Sequence, residues 1–241
     1  MSTLSTIRKS PLLEGVDEPT RGRIADSLTE KLWGQRQQIS GPADSVESFH
    51  LLAEGRVKIV RSNSRDGREL TLWLLGPGDG FDFVSLLDGS PHPVSAWALD
   101  PVRTLSAPMP QWREWLEESR PLRLAAHRYI GGKLRDLTEL SADLALHGTS
   151  ARLANLLLRH FDHGATGENI LHDLPQRELA SMIGTVRIVV SRVLAEMRRR
   201  QVVDLHGGAI RAVDFKRLLA MAESDVADRR ALAHAPRGGR S

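Results

Sequence analysis

The sequence LPQRELASMIGTVRIVVSRVLAEMRRRQVV, residues 174–203, has the pattern of two short helices joined by a tight turn. We predict one helix over Gln176–Met182 and a second over Val186–Arg199. Both would place apolar residues inward at spacings of three and four, the period of an amphipathic helix. Gly184 falls between them, where glycine tolerates the positive φ of a turn, and Thr185 is predicted to cap the second helix. The inward set would be Leu179, Ala180, Ile183, Val190, Val193, Leu194 and Met197. The stretch is therefore predicted to be a helix-turn-helix.

The outer face of the second predicted helix would carry two arginines among small and apolar side chains. It comprises Val186, Arg187, Ile188, Ser191 and Arg192. An arginine guanidinium can bind guanine O6 and N7 as a fork, and the hydroxyls of Ser191 and Thr185 suit base or phosphate contacts. This face is therefore predicted to enter a DNA major groove, although a two-helix corner with a solvated arginine edge would give the same pattern.

Two short apolar stretches within residues 202–213 flank Gly207-Gly208, which predicts a β-hairpin with a two-residue turn. Beside a recognition helix, such a hairpin is a wing that reaches the phosphate backbone, and His206 at its tip is a candidate phosphate contact. The alternative is a hairpin that merely covers the apolar side of the small domain.

The composition indicates two globular domains and restricts the chemistry that the chain can perform. A length of 241 residues exceeds the usual size of a single domain. Cysteine is absent, which excludes disulfides, zinc–thiolate sites and cysteine-held iron–sulfur clusters. Residues 148–222 hold 11 Lys and Arg against 7 Asp and Glu, so the net charge of +3 is concentrated beside the predicted helix-turn-helix. Such a surplus suits a domain that approaches phosphates.

The sequence predicts neither a membrane segment nor an export signal. Its apolar runs are shorter than the roughly 18–20 residues that span a bilayer. The first residues, MSTLSTIRKSPLLEG, lack the apolar core of a signal peptide. We expect a cytoplasmic protein with no membrane partner.

Residues 33–109 alternate short apolar stretches with glycine and proline, a pattern typical of an antiparallel sandwich or roll. Helical patterns precede and follow this region. The predicted fold is α+β, with an antiparallel, jelly-roll-like β-roll over residues 1–118 and a long helix over 119–147. A winged helix-turn-helix over 148–222 and a flexible tail over 223–241 complete it.

A helix predicted from Arg120 to about Leu146 carries a seam of apolar residues along one side. The seam comprises Leu124, Ile130, Leu134, Leu137, Leu140 and Leu144, with His127 and Gly131 nearby. At 1.5 Å per residue, a helix of about 27 residues is roughly 40 Å long, which exceeds what one small roll covers. The seam therefore predicts self-association, and packing on the chain's own roll is the alternative.

This order of elements resembles the CRP/FNR superfamily of bacterial transcription regulators over about residues 10–222. The segments that carry the resemblance are SPLLEGV, LLGPGDGFDFVSLLDGSP, SARLANLLLRHF and QRELASMIGTVRIVVSRVLAEMRRRQVVDLHGGAIR. The resemblance implies a cyclic-nucleotide-type sensor fold for the roll, a parallel homodimer through the long helix, and a pseudo-palindromic promoter site in double-stranded DNA. It also implies that effector binding reorients the recognition helices and that RNA polymerase is a partner.

One residue of the predicted recognition helix departs from the family's motif. The residues that the motif places at DNA are Thr185, Arg187, Ser191 and Arg192, with Arg152 and His206 at phosphates. At the position of Ile188 the family usually has a glutamate, which reads a cytosine or its paired base. Isoleucine accepts no hydrogen bond, but its side chain can contact a thymine methyl group. We therefore expect a half-site altered at that base pair rather than a strict TGTGA. It would be similar to the GTA-type half-sites of the nitrogen-control branch.

The predicted effector site departs further from the family's cyclic-AMP pattern. Cyclic-AMP binders have Phe-Gly-Glu and an Arg-Ser or Arg-Ala pair, whereas this chain has Phe-Asp-Phe at residues 81–83 and His-Pro at residues 92–93. Leu137 stands where a threonine usually reaches adenine. Without the arginine, a phosphate lacks its charged bidentate partner, which disfavours cyclic AMP.

Three alternatives for the effector stay open, and no cofactor is required by the sequence. Haem is one, with His50, His92 and His127 as candidate ligands, although Val84 stands near the position of the haem histidine in the family's CO sensors. A different apolar or anionic small molecule is the second, and no effector is the third. The candidate pocket comprises Trp73, Phe81, Asp82, Phe83, His92, Ser95, Trp97, Leu137 and Thr138.

The sequence does not predict an enzyme, because it has no Walker-type phosphate loop, no HExxH and no Gly-x-Ser-x-Gly elbow. It predicts no metal site either, since the pair His160 and His163 would need a third ligand. The alternative to a DNA-binding regulator is a small-molecule or haem sensor that acts through protein contacts.

Overall fold

The computed structural model of the chain describes residues 3–161, 170–206, 209–212 and 214–223. The chain forms two compact units, divided between Leu137 and Thr138. This division falls within a helix, and the boundaries placed at 118, 147 and 222 from the sequence stay predictions. No helix in the described part of the chain is long and apolar enough to cross a membrane.

The first unit begins with short helices and continues as a β-roll. Its short α-helices are α1 (Thr3–Lys9), α2 (Glu18–Ser27), α3 (Phe83–Asp88) and α4 (Met109–Glu118). Its strands are β1 (Thr29–Trp33), β2 (Gln38–Ser40), β3 (Ser48–Glu54), β4 (Val57–Ser62), β5 (Glu69–Leu75), β6 (Gly80–Phe81), β7 (Ser95–Ala98) and β8 (Val102–Pro108). They form two antiparallel four-stranded sheets, in the orders β1-β8-β3-β6 and β2-β7-β4-β5, which share one apolar core. The predicted antiparallel roll is confirmed.

The core of the roll is filled by alternate strand residues, because successive side chains of a strand point to opposite faces. In β5, Trp73 and Leu75 are buried and the residue between them is half-buried. In β3, Phe49 packs edge-on against Trp112 of α4, with ring centroids 4.8 Å apart. A Cβ at Gly80 would lie 2.4 Å from the Phe49 ring. Glycine at this position therefore allows β6 to approach β3 closely.

The long helix α5 (Arg120–Leu146) packs one side of its first half against the roll. Leu122, Ala126 and Tyr129 are buried on this side. The Gly80 N–H of β6 donates to the Tyr129 hydroxyl at 3.0 Å. This contact fastens α5 to the strand that leads into α3.

The apolar seam predicted along α5 divides into two faces. Leu124 and Leu134 are 44% and 64% exposed. Ile130 and Leu137 are half-buried and pack against the core of the roll. The division follows from which side of the helix the roll covers, and it leaves Leu124 and Leu134 exposed to solvent.

The second unit contains the winged helix-turn-helix. Beyond the end of α5 it comprises α6 (Thr149–Phe161), α7 (Gln176–Met182), α8 (Arg187–Arg199), β9 (Val203–His206), β10 (Ala209–Ala212) and a helix α9 over residues 215–223. Helix α8 packs against α6, α7 and β9, and β9 pairs antiparallel with β10. The predicted helix pair and the two strands of the wing are confirmed. The predicted turn at Gly207-Gly208 and the tail from residue 224 lie outside the described residues.

Candidate DNA interface and sensor site

Helix α8 is the predicted recognition helix, and one side of it is buried in the second unit. Val190, Leu194 and Met197 are no more than 2% exposed. Leu179 and Ala180 of α7 are buried with them, whereas Val193 is half-buried. The three-and-four spacing therefore identified the inner side of the helix, which fixes the side that faces outward.

The outer face of α8 is exposed and cationic. All five residues predicted there, Val186, Arg187, Ile188, Ser191 and Arg192, are exposed. The arginines that form ion pairs lie at the other end of the helix, where Arg199 and Arg200 pair with Glu196. Neither Arg187 nor Arg192 pairs with an acidic side chain in the described part of the chain. Their guanidinium groups are therefore available to a ligand.

The start of α8 differs from the prediction by one residue. The N-cap is Val186, which has an extended backbone and makes no side-chain capping hydrogen bond. The prediction of Thr185 as the cap is wrong, because its N–H donates to the Ala180 carbonyl at 2.9 Å and closes the preceding turn. Gly184 has a φ of 62°, as the turn requires. The first amide groups of α8 thus lack a side-chain acceptor, which suits an approaching phosphate oxygen.

The two residues that the resemblance places at phosphates lie on α6 and on the wing. Arg152 of α6 is half-buried, and its Nη2 donates to Thr149 Oγ1 at 3.4 Å. Its Nε is buried with no hydrogen-bond partner among the described residues. His206 ends β9, and its side chain lies outside the part of the chain that the structure describes. Both assignments stay predictions.

The sensor site predicted in the roll includes the start of α3. Asp82 precedes this helix with a φ of 68°, a conformation that aspartate adopts more readily than most residues, and it is 7% exposed. Burial raises the pKa of Asp82 to about 7, and the nearby charge of Asp44 also raises it. A hydrogen bond from Ser40 lowers the pKa but does not outweigh burial. The Asp82 Oδ2 atom has no hydrogen-bond partner among the described residues. The start of α3 therefore presents a buried carboxyl group.

The aromatic residues of the predicted sensor site have different neighbours. Phe83 packs edge-on against Trp73 at a centroid distance of 5.3 Å and against Tyr129 at 6.1 Å. Phe81 instead stacks on His50, with centroids 4.8 Å apart. The structure brings Trp73 and Phe83 together and gives Phe81 a separate partner.

The remaining residues of the predicted site are less buried. His92, Ser95, Trp97 and Leu137 are half-buried, and Thr138 is exposed at the start of the second unit. Two arginines beside the site donate to backbone carbonyls: Arg61 to Pro93 at 2.8 Å, and Arg113 to Ser85 at 2.8 Å and Leu86 at 3.0 Å. These guanidinium groups are engaged within the chain, which leaves them less able to hold a phosphate.

Comparisons with known proteins match both units. The cyclic nucleotide-binding domain family matches residues 35–119, and the Crp-like helix-turn-helix domain family matches residues 151–221. The cyclic AMP receptor protein of Thermus thermophilus is 31% identical over 208 residues, which cover 85% of this chain and 93% of that protein. The chain belongs to the CRP/FNR family of transcription regulators. As a CRP/FNR regulator it binds DNA, and the family consists of regulators rather than enzymes.

Other CRP/FNR relatives extend over most of the chain. A CRP-like cAMP-activated global transcriptional regulator of Mycobacterium tuberculosis is 26% identical over 216 residues, 88% of this chain and 96% of that protein. The global nitrogen regulator of a Nostoc species is 31% identical over 178 residues, 71% and 79% of the two chains. In fold, FixK2 from Bradyrhizobium japonicum is similar with a TM-score of 0.71 at 20% identity, over 80% of this chain and 96% of that one.

The three histidines predicted as candidate haem ligands of this CRP/FNR regulator lie on different elements. His50 of β3 is 5% exposed, and burial together with the charge of Lys31 lowers its pKa to about 4. His92 precedes β7, and His127 is exposed on α5. In the described residues no group of three His, Cys, Asp or Glu side chains is placed to hold a metal ion, and His163 lies outside those residues. Among the described residues, His50 offers a buried, neutral imidazole. Its Nδ1 has no partner there, and its ring stacks on Phe81.

Proposed function

We propose that the chain acts in the cytoplasm as a homodimer that binds a pseudo-palindromic promoter site and contacts RNA polymerase there. The observation that carries the proposal is the exposed outer face of α8, where Arg187 and Arg192 lie opposite a fully buried side. A recognition helix places such a face against base edges in the major groove. In a twofold dimer, two such helices reach half-sites about 34 Å apart, one helical turn of DNA.

The base preference would depend on Ile188 as well as on the two arginines. Ile188 is 61% exposed between Arg187 and Ser191, so its side chain would face the groove. An aliphatic side chain there favours a thymine methyl and cannot accept a hydrogen bond from cytosine. The proposed half-site therefore keeps guanine contacts for the arginines and differs at the neighbouring base pair.

The dimer would form through α5. Leu124 and Leu134 are exposed on this helix, and they lie ten residues apart, close to three helical turns. Apolar side chains repeated along one side of a long helix are stabilised by a second helix that removes them from water. The partner in this proposal is a second copy of the chain.

The roll would respond to an apolar small molecule rather than to cyclic AMP, although two relatives are named for cyclic AMP. Asp82 would repel a phosphate at pH values where its carboxyl group is ionised, and Arg113 is engaged with the carbonyls of α3. The contact between Trp73 and Phe83 offers an apolar surface instead. Haem is the alternative that His50 favours, and an absorption spectrum with a Soret band after purification would identify it.

A gel-shift series over salt concentration tests the DNA-binding proposal. Each phosphate contact releases counterions, so the log of the affinity should fall linearly with the log of the salt concentration. With several phosphate contacts per dimer, we expect a loss of about 1,000-fold between 50 and 200 mM salt. A weak affinity that does not change with salt would instead favour the second candidate, a sensor that acts through protein contacts.

A further inference from the structure

A buried carboxylate joins the end of α5 to α6. Asp143 is 4% exposed. Its carboxylate accepts hydrogen bonds from Asn155 Nδ2 at 2.7 Å and from Arg159 Nη1 at 2.8 Å. His147 Nδ1 lies 2.9 Å from Asp143 Oδ1. We refer to these four residues as the hinge clasp.

The hinge clasp spans the break between the two helices. Asp143 lies in the last turn of α5, His147 follows that helix, and Asn155 and Arg159 lie on successive turns of α6. Gly148 stands in the break, and its carbonyl accepts a hydrogen bond from the Arg152 N–H at 3.0 Å as α6 begins. Since α6 packs against α8, two residues of the hinge clasp lie on a helix that contacts the recognition helix directly. All of these residues belong to the second unit.

The Asp143 carboxylate stays ionised at neutral pH. Burial raises its pKa, but the hydrogen bonds from Arg159, His147 and Asn155 together outweigh burial and leave the pKa below its ordinary value. A buried charge is tolerated when its partners surround it, and it becomes costly when one of them moves away. Rotation of α6 about the break would separate Asp143 from Asn155 and Arg159. The hinge clasp therefore favours one angle between α6 and the end of α5.

We infer that Asp143 is a positioning residue for DNA recognition, which holds α6, and through it α8, at one angle to the last turns of α5. Its consequence for DNA rests on the proposed function. In a dimer joined through α5, this angle determines the separation of the two recognition helices. The hinge clasp would therefore determine which half-site spacing the dimer accepts.

A distance measurement tests the hinge clasp without DNA. Because the chain has no cysteine, the variants Glu139→Cys on α5 and Ala195→Cys on α8 provide two unique sites for spin labels. Both positions are exposed and both lie in the second unit. Pulsed electron paramagnetic resonance, with labelled chains diluted into unlabelled ones, then gives the distance distribution. We expect a single narrow distribution in the doubly labelled chain, and one about twofold broader after Asp143→Ala.

Two further variants make this measurement decisive. Asp136→Ala removes a carboxylate from an exposed position of the same helix, and it should leave the distribution unchanged. Arg159→Gln removes one donor of the hinge clasp at a side chain that is 39% exposed, so it should broaden the distribution even if Asp143→Ala fails to fold. The inference is overturned if the distance distribution stays narrow in both Asp143→Ala and Arg159→Gln. If Asp143→Ala does not fold, a narrow distribution in Arg159→Gln alone overturns it.

The consequence for DNA is measured separately, with duplexes whose two half-sites are moved apart or together by one base pair. The hinge-clasp variants should reduce the affinity ratio between the best and the next-best spacing by about tenfold, while the preferred half-site sequence stays the same. An unchanged ratio would contradict the positioning role. Since the label distances need no DNA, failure of the DNA-binding proposal itself would leave the test of the hinge clasp intact.

Discussion

The outer face of α8 and the surroundings of α3 differ in how far each follows the pattern of the CRP/FNR family. On α8, Arg187 and Arg192 are predicted to occupy positions of the family's motif, and both are exposed without acidic partners in the described chain. Around α3, Asp82 brings a buried carboxyl group and Arg113 is engaged with carbonyls. One unit thus has an exposed cationic helix face, while the other has a buried carboxyl group next to a helix whose carbonyls already engage an arginine.

The largest effect is expected at the outer face of α8. Replacing Arg187 and Arg192 together by alanine should weaken binding to the selected DNA site at least about 100-fold, because each bidentate guanine contact contributes about 1–3 kcal/mol. Fluorescence anisotropy with a labelled duplex measures this loss. Arg65→Ala, which removes one positive charge from an exposed position of the roll, is the control. A loss of about tenfold in the control, the share expected for one lost charge out of two, would mean that net charge, and not this face, determines the affinity.

The next prediction concerns the roll, where Asp82→Asn should increase stability at alkaline pH. The pKa of Asp82 is raised from 3.8 to about 7, so the folded state keeps a proton that the unfolded state releases at lower pH. The free energy of unfolding should therefore fall as the pH rises from about 4 to about 7, and stay at the lower value above.

Asparagine keeps the shape of Asp82 and tolerates its positive φ, but it does not ionise. Asp82→Asn should raise the free energy of unfolding by about 2–4 kcal/mol at pH 8 and change it little at pH 4. Urea unfolding at the two pH values measures the difference. Parallel pH profiles for the two proteins would show that this carboxyl group is not held protonated by burial.

A smaller effect on specificity is expected from Ile188→Glu, which restores a hydrogen-bond acceptor to the outer face of α8. The variant should shift the preference at one base pair of the half-site toward the pair that offers a cytosine amino group, by about tenfold. Competition between duplexes that differ at this base pair measures the shift. Val186→Glu, which adds the same charge at an exposed position two residues earlier, should not produce it.

The smallest effect is expected at the turn before α8. Because Thr185 is not the N-cap, Thr185→Ala should lower the free energy of unfolding by less than about 0.5 kcal/mol. Asp17, by contrast, caps α2 by accepting a hydrogen bond from the Thr20 N–H at 2.9 Å. Thermal unfolding should therefore show a larger destabilisation for Asp17→Ala than for Thr185→Ala, and the reverse order would restore Thr185 as a cap.

The helix-turn-helix and its exposed face could be predicted from the sequence because both depend on local periodicity. Val190, Leu194 and Met197 repeat at helical spacing, so they identify the inner side of α8 and leave Arg187 and Arg192 outside. The cap could not be predicted in this way. Thr185 and Val186 are adjacent, and the backbone conformation of the turn decides which of them begins the helix.

Features that depend on contacts distant in sequence could not be predicted. Asp143 and Arg159 lie on different helices, and the turn between them decides whether they meet. The two faces of α5 likewise depend on which side the roll covers, so Leu134 and Leu137 look equivalent in the sequence although one is exposed and the other half-buried. Asp82 gives no sign of burial in the sequence, because its environment is built by several strands.

The central claim is that two copies of this chain present Arg187 and Arg192 to two half-sites of one duplex. Selection of binding sites from random DNA, followed by titration of the selected duplex, tests it most directly. The account predicts an inverted repeat with half-site centres about 10–11 base pairs apart, saturated at two chains per duplex. Recovery of unrelated sequences with no repeat, or saturation at one chain per duplex, would contradict it.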